Sequence, residues 1–154
     1  ARAEQLGITE LVHFAGAVYE ERALATALMA SDLAVIPAGA GLSIMHAFAY
    51  GTPVLLHDRV EEHFPEWEAV TEGVTGFYYR YGDMEHFAVK IEEALFPHPK
   101  KARMAMACRE VIESRYNPRR HAEAMMEAVE SVRARATHRG QNPRGARSCP
   151  KVGS

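Results

Sequence analysis

Apolar residues in the first half of the chain fall in short unbroken runs, and in the second half they fall at the three-and-four spacing of a helix face. Leu33–Ile36, Val54–Leu56 and Gly76–Tyr79 are runs of the first kind. The first two are short and continuous, as expected of a strand covered on both faces of a parallel sheet, and the third suggests a small strand. Leu11–Phe14, followed by Gly16, reads as a further strand. Between them, Leu24, Ala27 and Leu28 lie on one helical face of Tyr19–Ala30, with Glu20 and Glu21 in the first turn, where the helix dipole favours acids. Residues 1 to 7 read as the end of a helix stopped by Gly7. From Asp83 onward the pattern is helical only. Asp83 caps a helix carrying Phe87, Ile91 and Leu95, the Pro97–Pro99 segment breaks it, and Ala102–Tyr116 resumes. Asn117 as cap and Pro118 at the first helical position open a last helix that runs through Met125, Met126 and Val129 to about Arg135, its Met residues read as core. The expected architecture is α/β: a small parallel sheet within residues 11–79, flanked by helices in the manner of a Rossmann fold, then C-terminal helices.

The stretch DLAVIPAGAGLSIMHAFAYGTPVLLHD, Asp32 to Asp58, organises this pattern. Pro37 ends the first strand because proline cannot donate to a sheet ladder. Gly39 and Gly41 permit a tight loop and a close approach to bare N–H groups. Leu42–Tyr50 is a helix without an interior breaker, Gly51 ends it, and Val54 starts the next strand. In open α/β sheets the carboxyl edge of the strands binds ligands, and Pro37–Ser43 would lie there with the first-turn N–H groups pointing outward. A phosphate fits such a place. The plain alternative is that Gly-Ala-Gly is only a turn between two core elements.

Composition narrows the classes. At 154 residues with 47% hydrophobic side chains, the chain can bury one ordinary core. No apolar stretch approaches the roughly 20 residues of a membrane span, and no signal peptide is visible at the start. Ala1-Arg2 in place of Met suggests a piece cut from something longer. Cys108 and Cys149 make neither a metal spacing nor a disulfide framework, which fits a reducing cytoplasm. The net charge of −2 hides an uneven distribution: residues 133–154 hold six Lys or Arg and no acid, so the tail carries +6 and the body −8. With Arg135, Arg139, Arg144 and Arg147 the tail could touch nucleic acid or an anionic membrane. It has no aromatic residue for stacking and no apolar face, so residues 136–154 read as a solvated, disordered, dispensable end and no nucleic-acid partner is expected. His57, Asp58 and His63 could be imagined as metal ligands, but they straddle a strand end and an irregular turn, and no metal is expected.

Four segments, in order, resemble the C-terminal, donor-binding half of a family-four glycosyltransferase of the two-Rossmann-domain GT-B type. AEQLGITELVHFAGAV is similar to that family's helix and strand leading to Phe-x-Gly, and LMASDLAVIPA to its alanine-rich helix, Asp and strand ending in Pro. GLSIMHAFAYGTPVLLHD is similar to the donor-binding loop and helix, and FPEWEAVTEGVTGFYY to the Pro-Glu helix followed by Gly-x-x-Gly. Many members carry two glutamates eight positions apart around the donor helix; here those positions hold Ala38 and His46. A branch of polysaccharide-synthesis enzymes with a Gly-Leu loop and a His in the helix resembles this pattern more closely.

The resemblance implies a nucleotide-sugar substrate, transfer of the sugar to a polysaccharide or glycan acceptor, no cofactor and no protein-bound metal. It assigns Gly39, Ala40, Gly41, Leu42 and Ser43 to the donor phosphates, His46 to the ribose, and Glu66 to a candidate donor contact; no residue is assigned a catalytic role. It also implies that residues 1–135 lack the first strands of their domain, along with the acceptor domain, through which a peripheral membrane contact would come. The chain alone would then be an incomplete, inactive donor-binding piece. A non-catalytic nucleotide-binding or assembly module, and a nucleotide-sugar epimerase fragment, are the alternatives. Residue spacing bears on His46 separately: positions 42, 43 and 46 share a helix face, and helical side chains lean toward the N-terminus, here the loop. The other reading of His46, flanked by Ile44, Met45, Ala47 and Phe48, is a core histidine bonded to a backbone carbonyl.

Overall fold

The computed structural model of the chain describes residues 2–95 and 100–140. It divides into two compact units, Ala1–Ile112 and Glu113–Ser154. In the first unit, α1 (Arg2–Gln5) leads through a 3-10 turn, Thr9–Leu11, and an irregular stretch to α2 (Glu21–Ala30). Then come β1 (Ala34–Ile36), α3 (Leu42–Ala49), β2 (Val54–His57), two 3-10 turns at Val60–Glu62 and Pro65–Ala69, β3 (Gly76–Tyr79) and α4 (Met84–Leu95). Helix α5 (Lys100–Arg115) runs from the first unit into the second, where α6 (Pro118–Gly140) follows.

The three strands form one parallel sheet in the order β1-β2-β3, with Val35 opposite Leu55 and Leu55 opposite Phe77. Alternation sorts the side chains to two faces. Val54 and Leu56 pack with Ile44, Ala47 and Phe48 of α3, Ala69, Val70, and Cys108 of α5. Leu55, Phe77 and Tyr79 pack on the other face with Phe87 and Ile91 of α4 and Met104 of α5. Every residue of β2 is buried because it is the central strand, which is why its run has no polar alternation. Gly51, at φ +79°, closes α3: its N–H donates to the Phe48 carbonyl and the Thr52 N–H to that of Ala47, a Schellman ending. The chain therefore turns sharply into β2, and the Thr52 hydroxyl ties the turn to α2 by donating to Leu28 O at 2.7 Å.

Several sequence expectations need correction. Leu11–Phe14 is not a strand, and the sheet begins at Ala34. Val12 has extended angles, but its N–H turns back to Thr9 O and no strand pairs with it among the described residues, and Leu11 and Phe14 are 83% and 78% exposed. Extended backbone becomes a strand only when a neighbour takes its N–H and C=O groups. Glu20 is the cap of α2 and not a first-turn acid; its carboxylate accepts from the N–H groups of Arg22 and Ala23. Met125 and Met126 are not core: they are 59% and 60% exposed on α6. Helical spacing groups apolar residues, but only a surface that meets them buries them. Helix α6 also passes Arg135 and reaches Gly140, so residues 136–140 are helical where a disordered tail was expected.

The remaining helix starts follow their caps. The Asp83 carboxylate accepts from the His86 N–H at 2.8 Å, and the Asn117 side chain accepts from that of Arg120 at 2.9 Å. The N–H bond from His86 is also the main reason the Asp83 carboxyl titrates below its usual value. The Pro97–Pro99 break, the tail beyond Gly140 and Cys149 lie outside the described residues. Among the described residues no helix is long and apolar enough to cross a membrane.

Candidate functional site

The carboxyl ends of β1 and β2 carry the loops that build the site, because in a parallel sheet all strand ends of one sense open on one edge. The loop after β1 is short enough that Gly39–Ala40–Gly41 lies directly against Glu62–His63–Phe64 from the segment after β2. The Phe64 N–H donates to Ala40 O at 2.8 Å, and the Ala40 N–H donates to His63 Nδ1 at 3.0 Å. The other ring nitrogen, Nε2, lies 2.9 Å from His57 O at the end of β2. A nitrogen that accepts from an amide carries no proton, so this imidazole holds its hydrogen on Nε2 and donates it to that carbonyl. A Cβ on Gly39 would stand 2.8 Å from the Glu62 carbonyl oxygen, and one on Gly41 would stand 3.1 Å from the Phe64 ring. Glycine is needed at 39 because two backbones touch there.

Helix α3 opens at Leu42 with Gly41 as its cap residue, and no side chain caps it. The first-turn N–H groups of a helix have no intrahelical acceptor, so this end offers donors to a ligand. Beside it is a cavity of about 400 Å³ lined by Gly39, Gly41, Leu42, Phe64 and Glu66. That volume is within the range of small-molecule sites. One carboxylate oxygen of Glu66, Oε2, is enclosed and has no hydrogen-bond partner. A buried acceptor without a donor is costly, on the order of 1–3 kcal/mol, and calls for a donor.

The sequence candidates separate accordingly. Gly39, Gly41, Leu42 and Glu66 meet at the cavity. Ala40 is fully buried with both its N–H and its C=O committed to the neighbouring segment, so it shapes the loop from behind. Ser43 and His46 are exposed on α3, outside the cavity lining. His46 is thus not a core histidine. Phe64 and His63 were missed as site residues: both act through contacts to positions 23 residues or more away, and no local spacing reveals that. Among the described residues no group of three or more His, Cys, Asp or Glu is arranged to hold a metal.

Residues 1–96 match the family model described as "Glycosyl transferases group 1". The chain belongs to the group 1 glycosyltransferases. No curated protein matches it in sequence. Among solved structures it is similar to the Anabaena protein Alr3699/HepE, whose crystal structure is in complex with UDP, with a TM-score of 0.67 and 22% identity. The match covers 84% of this chain and 35% of that one, so the chain spans about a third of that protein's length and shares its fold over that part.

Behind the loop lies a histidine pair. His57 is fully buried and stacks on His63 with ring centroids 4.2 Å apart, and the Tyr81 ring meets it edge-on at 5.0 Å. Neither ring nitrogen of His57 has a hydrogen bond; the nearest acid, Glu62, is 3.9 Å from Nε2. Burial, and next the neighbouring His63, push its pKa below the ordinary 6.5. The unfolded chain therefore takes up this proton more readily than the folded one. The stability held by neutral His57 is complete above about pH 6.5 and declines as pH falls below it toward the lowered folded value. Thermal melts between pH 7.5 and pH 5 are expected to show a falling Tm in wild type, and a flatter profile in His57→Leu. Parallel profiles would show that His57 does not set it. Cys108, by contrast, has its thiol pushed up to about 12 by burial and is inert packing.

Proposed function

We propose that this chain binds the nucleoside-diphosphate part of a nucleotide-sugar donor, and that within its whole protein it serves transfer of the sugar to a glycan or polysaccharide acceptor. The observation that carries this reading is the cavity of about 400 Å³ lined by Gly39, Gly41 and Leu42 at the uncapped start of α3 and by Glu66, whose Oε2 has no hydrogen-bond partner. An anion is favoured at the helix end, and a hydroxyl donor is favoured at the carboxylate. A nucleotide-sugar carries both. The N–H groups of Gly39, Gly41, Leu42 and Ser43 take the diphosphate, Ala40 holds their loop in shape, Glu66 accepts from a hydroxyl of the donor, and His46 reaches the ribose. The UDP complex of the Anabaena structure, which shares this fold, supports a uridine nucleotide as the first ligand to try.

Breaking the bond between sugar and diphosphate leaves negative charge on the departing phosphate. Preorganised N–H groups and the α3 dipole stabilise that charge, and they need no cofactor or magnesium to do so. The acceptor and any catalytic group belong to the acceptor domain, supplied in cis, and any peripheral contact with a membrane in the cytoplasm would come through that domain.

Titration of the ¹⁵N-labelled chain with UDP and GDP, without magnesium, tests the reading. UDP or GDP is expected to shift the amides of Gly41, Leu42 and Ser43. His46→Ala is expected to weaken affinity by roughly two- to thirteen-fold, the equivalent of one neutral hydrogen bond of about 0.5–1.5 kcal/mol. Its Tm should match wild type, because the side chain is exposed. Loop amides that stay still at millimolar nucleotide would refute the donor site.

A further inference from the structure

On the side of the cavity formed by Gly39 and Gly41 the wall is backbone, and a loop of two glycines and an alanine has no side chains with which to hold its own shape. What holds it is one ring. His63 accepts the Ala40 N–H at Nδ1 and donates from Nε2 to the His57 carbonyl, so a single imidazole bridges the loop after β1 to the end of β2. Its plane is set by stacking on the buried ring of His57, at 4.2 Å and 27°. The next residue completes the seam through the bond from the Phe64 N–H to Ala40 O. We propose that His63 is the positioning residue of the donor loop: neutral and protonated on Nε2, it holds Gly39–Gly41 in the shape that presents the start of α3 to phosphate.

This rests on the donor-site reading and adds the residue on which the geometry of that site depends. The arrangement tolerates only one protonation state. A second proton, on Nδ1, would set a ring N–H against the Ala40 N–H, two donors face to face, and the bond from the loop would be lost. Acid therefore loosens the loop and lowers phosphate affinity, opposite to the rise that an added positive charge near a phosphate would otherwise bring. The charged and titratable groups around the ring come from every side of the seam. His57 stands at the end of β2, Asp58 and Arg59 follow it, Glu62 precedes the ring, and Tyr79 and Tyr81 reach His57 from β3 and the turn after it. Protonation of His57 breaks no loop bond, because neither of its nitrogens bonds to the loop.

Glutamine can stand in for this tautomer, since its amide oxygen accepts while its amide nitrogen donates, and it does not titrate. The experiment uses wild type, His63→Gln and His63→Ala. Without nucleotide, the ¹⁵N shifts of the His63 ring read its tautomer, and hydrogen exchange reads protection of the Ala40 amide. With UDP, affinity is measured from pH 8 to pH 5.5. The expected results are an Nε2–H tautomer and a protected Ala40 amide in wild type. Affinity should weaken toward low pH in wild type, fall about tenfold in His63→Ala at pH 8, and be restored in His63→Gln with a flatter pH profile, the slope that is left being that of the UDP terminal phosphate, whose second pKa is about 6, and of His57.

An Nδ1–H tautomer, equal affinity in His63→Ala and wild type, or a pH dependence that survives unchanged in His63→Gln would overturn the proposal. If His63→Ala does not fold, wild type against His63→Gln still decides it through the pH profile. If no variant binds UDP, the donor-site reading fails; the tautomer and the Ala40 exchange, both read without ligand, then decide whether His63 holds the loop.

Discussion

Phe48→Ala is expected to remove about 3–5 kcal/mol of stability, a large part of the roughly 5–15 kcal/mol that a domain possesses. Phe48 is the largest fully buried side chain among the described residues, at 0% exposure, and it joins α3 to Val54 and Leu56 on the face that also holds Val70 and Cys108. Truncation leaves a void that backbone on several sides cannot close, because α3 is pinned at its far end by the Schellman turn and at its near end by the glycine loop. Chemical denaturation by urea, followed by circular dichroism, reads the loss directly. Leu11→Ala is the matched control: Leu11 is 83% exposed and its removal should change stability by less than about 0.5 kcal/mol. Equal losses at the two positions would mean that the first unit is not organised around α3.

Gly39→Ala is expected to lower UDP affinity by about tenfold or more while the chain stays folded. The added Cβ would sit 2.8 Å from the Glu62 carbonyl oxygen, a backbone atom that cannot rotate away, so the loop must separate from residues 62–64. Separation stretches both bonds of the seam, Ala40 N–H to His63 and Phe64 N–H to Ala40 O, and tilts the Gly41–Ser43 donors away from the ligand. Gly41→Ala meets the Phe64 ring at 3.1 Å, and a side chain can turn aside, so its effect should be smaller. Isothermal titration with UDP ranks the two. A larger loss at Gly41 than at Gly39 would place the tight contact in the wrong strand of the seam.

The parts of this molecule that local chemistry dictates were readable from residue order. Proline and glycine at 37, 39, 41 and 51 bound a helix and two strands, and Asp83 and Asn117 start helices by capping them, because these effects act over a few residues. The three parallel strands at 34–36, 54–57 and 76–79 were legible as short unbroken apolar runs, although only the central one is buried throughout and β1 leaves Val35 40% exposed. The resemblance of the donor loop and helix likewise survives as family membership over residues 1–96.

Whether an apolar stretch is buried was not legible, because burial depends on what meets it. Leu11–Phe14 has strand composition, yet it has no strand neighbour among the described residues, and the methionines of α6 have helical spacing and an exposed face. The site divides along the same line. Sequence alone determined that a glycine loop precedes an uncapped helix at a strand end, and therefore that backbone donors gather there. Only the tertiary structure decided that Ala40 faces inward, that His46 is exposed, that Glu66 lines the cavity with one carboxylate oxygen buried and unpartnered, and that His63 fastens the loop. Those outcomes follow from the packing of the 39–41 and 62–64 segments against each other, a contact between residues more than 20 positions apart that no local preference encodes.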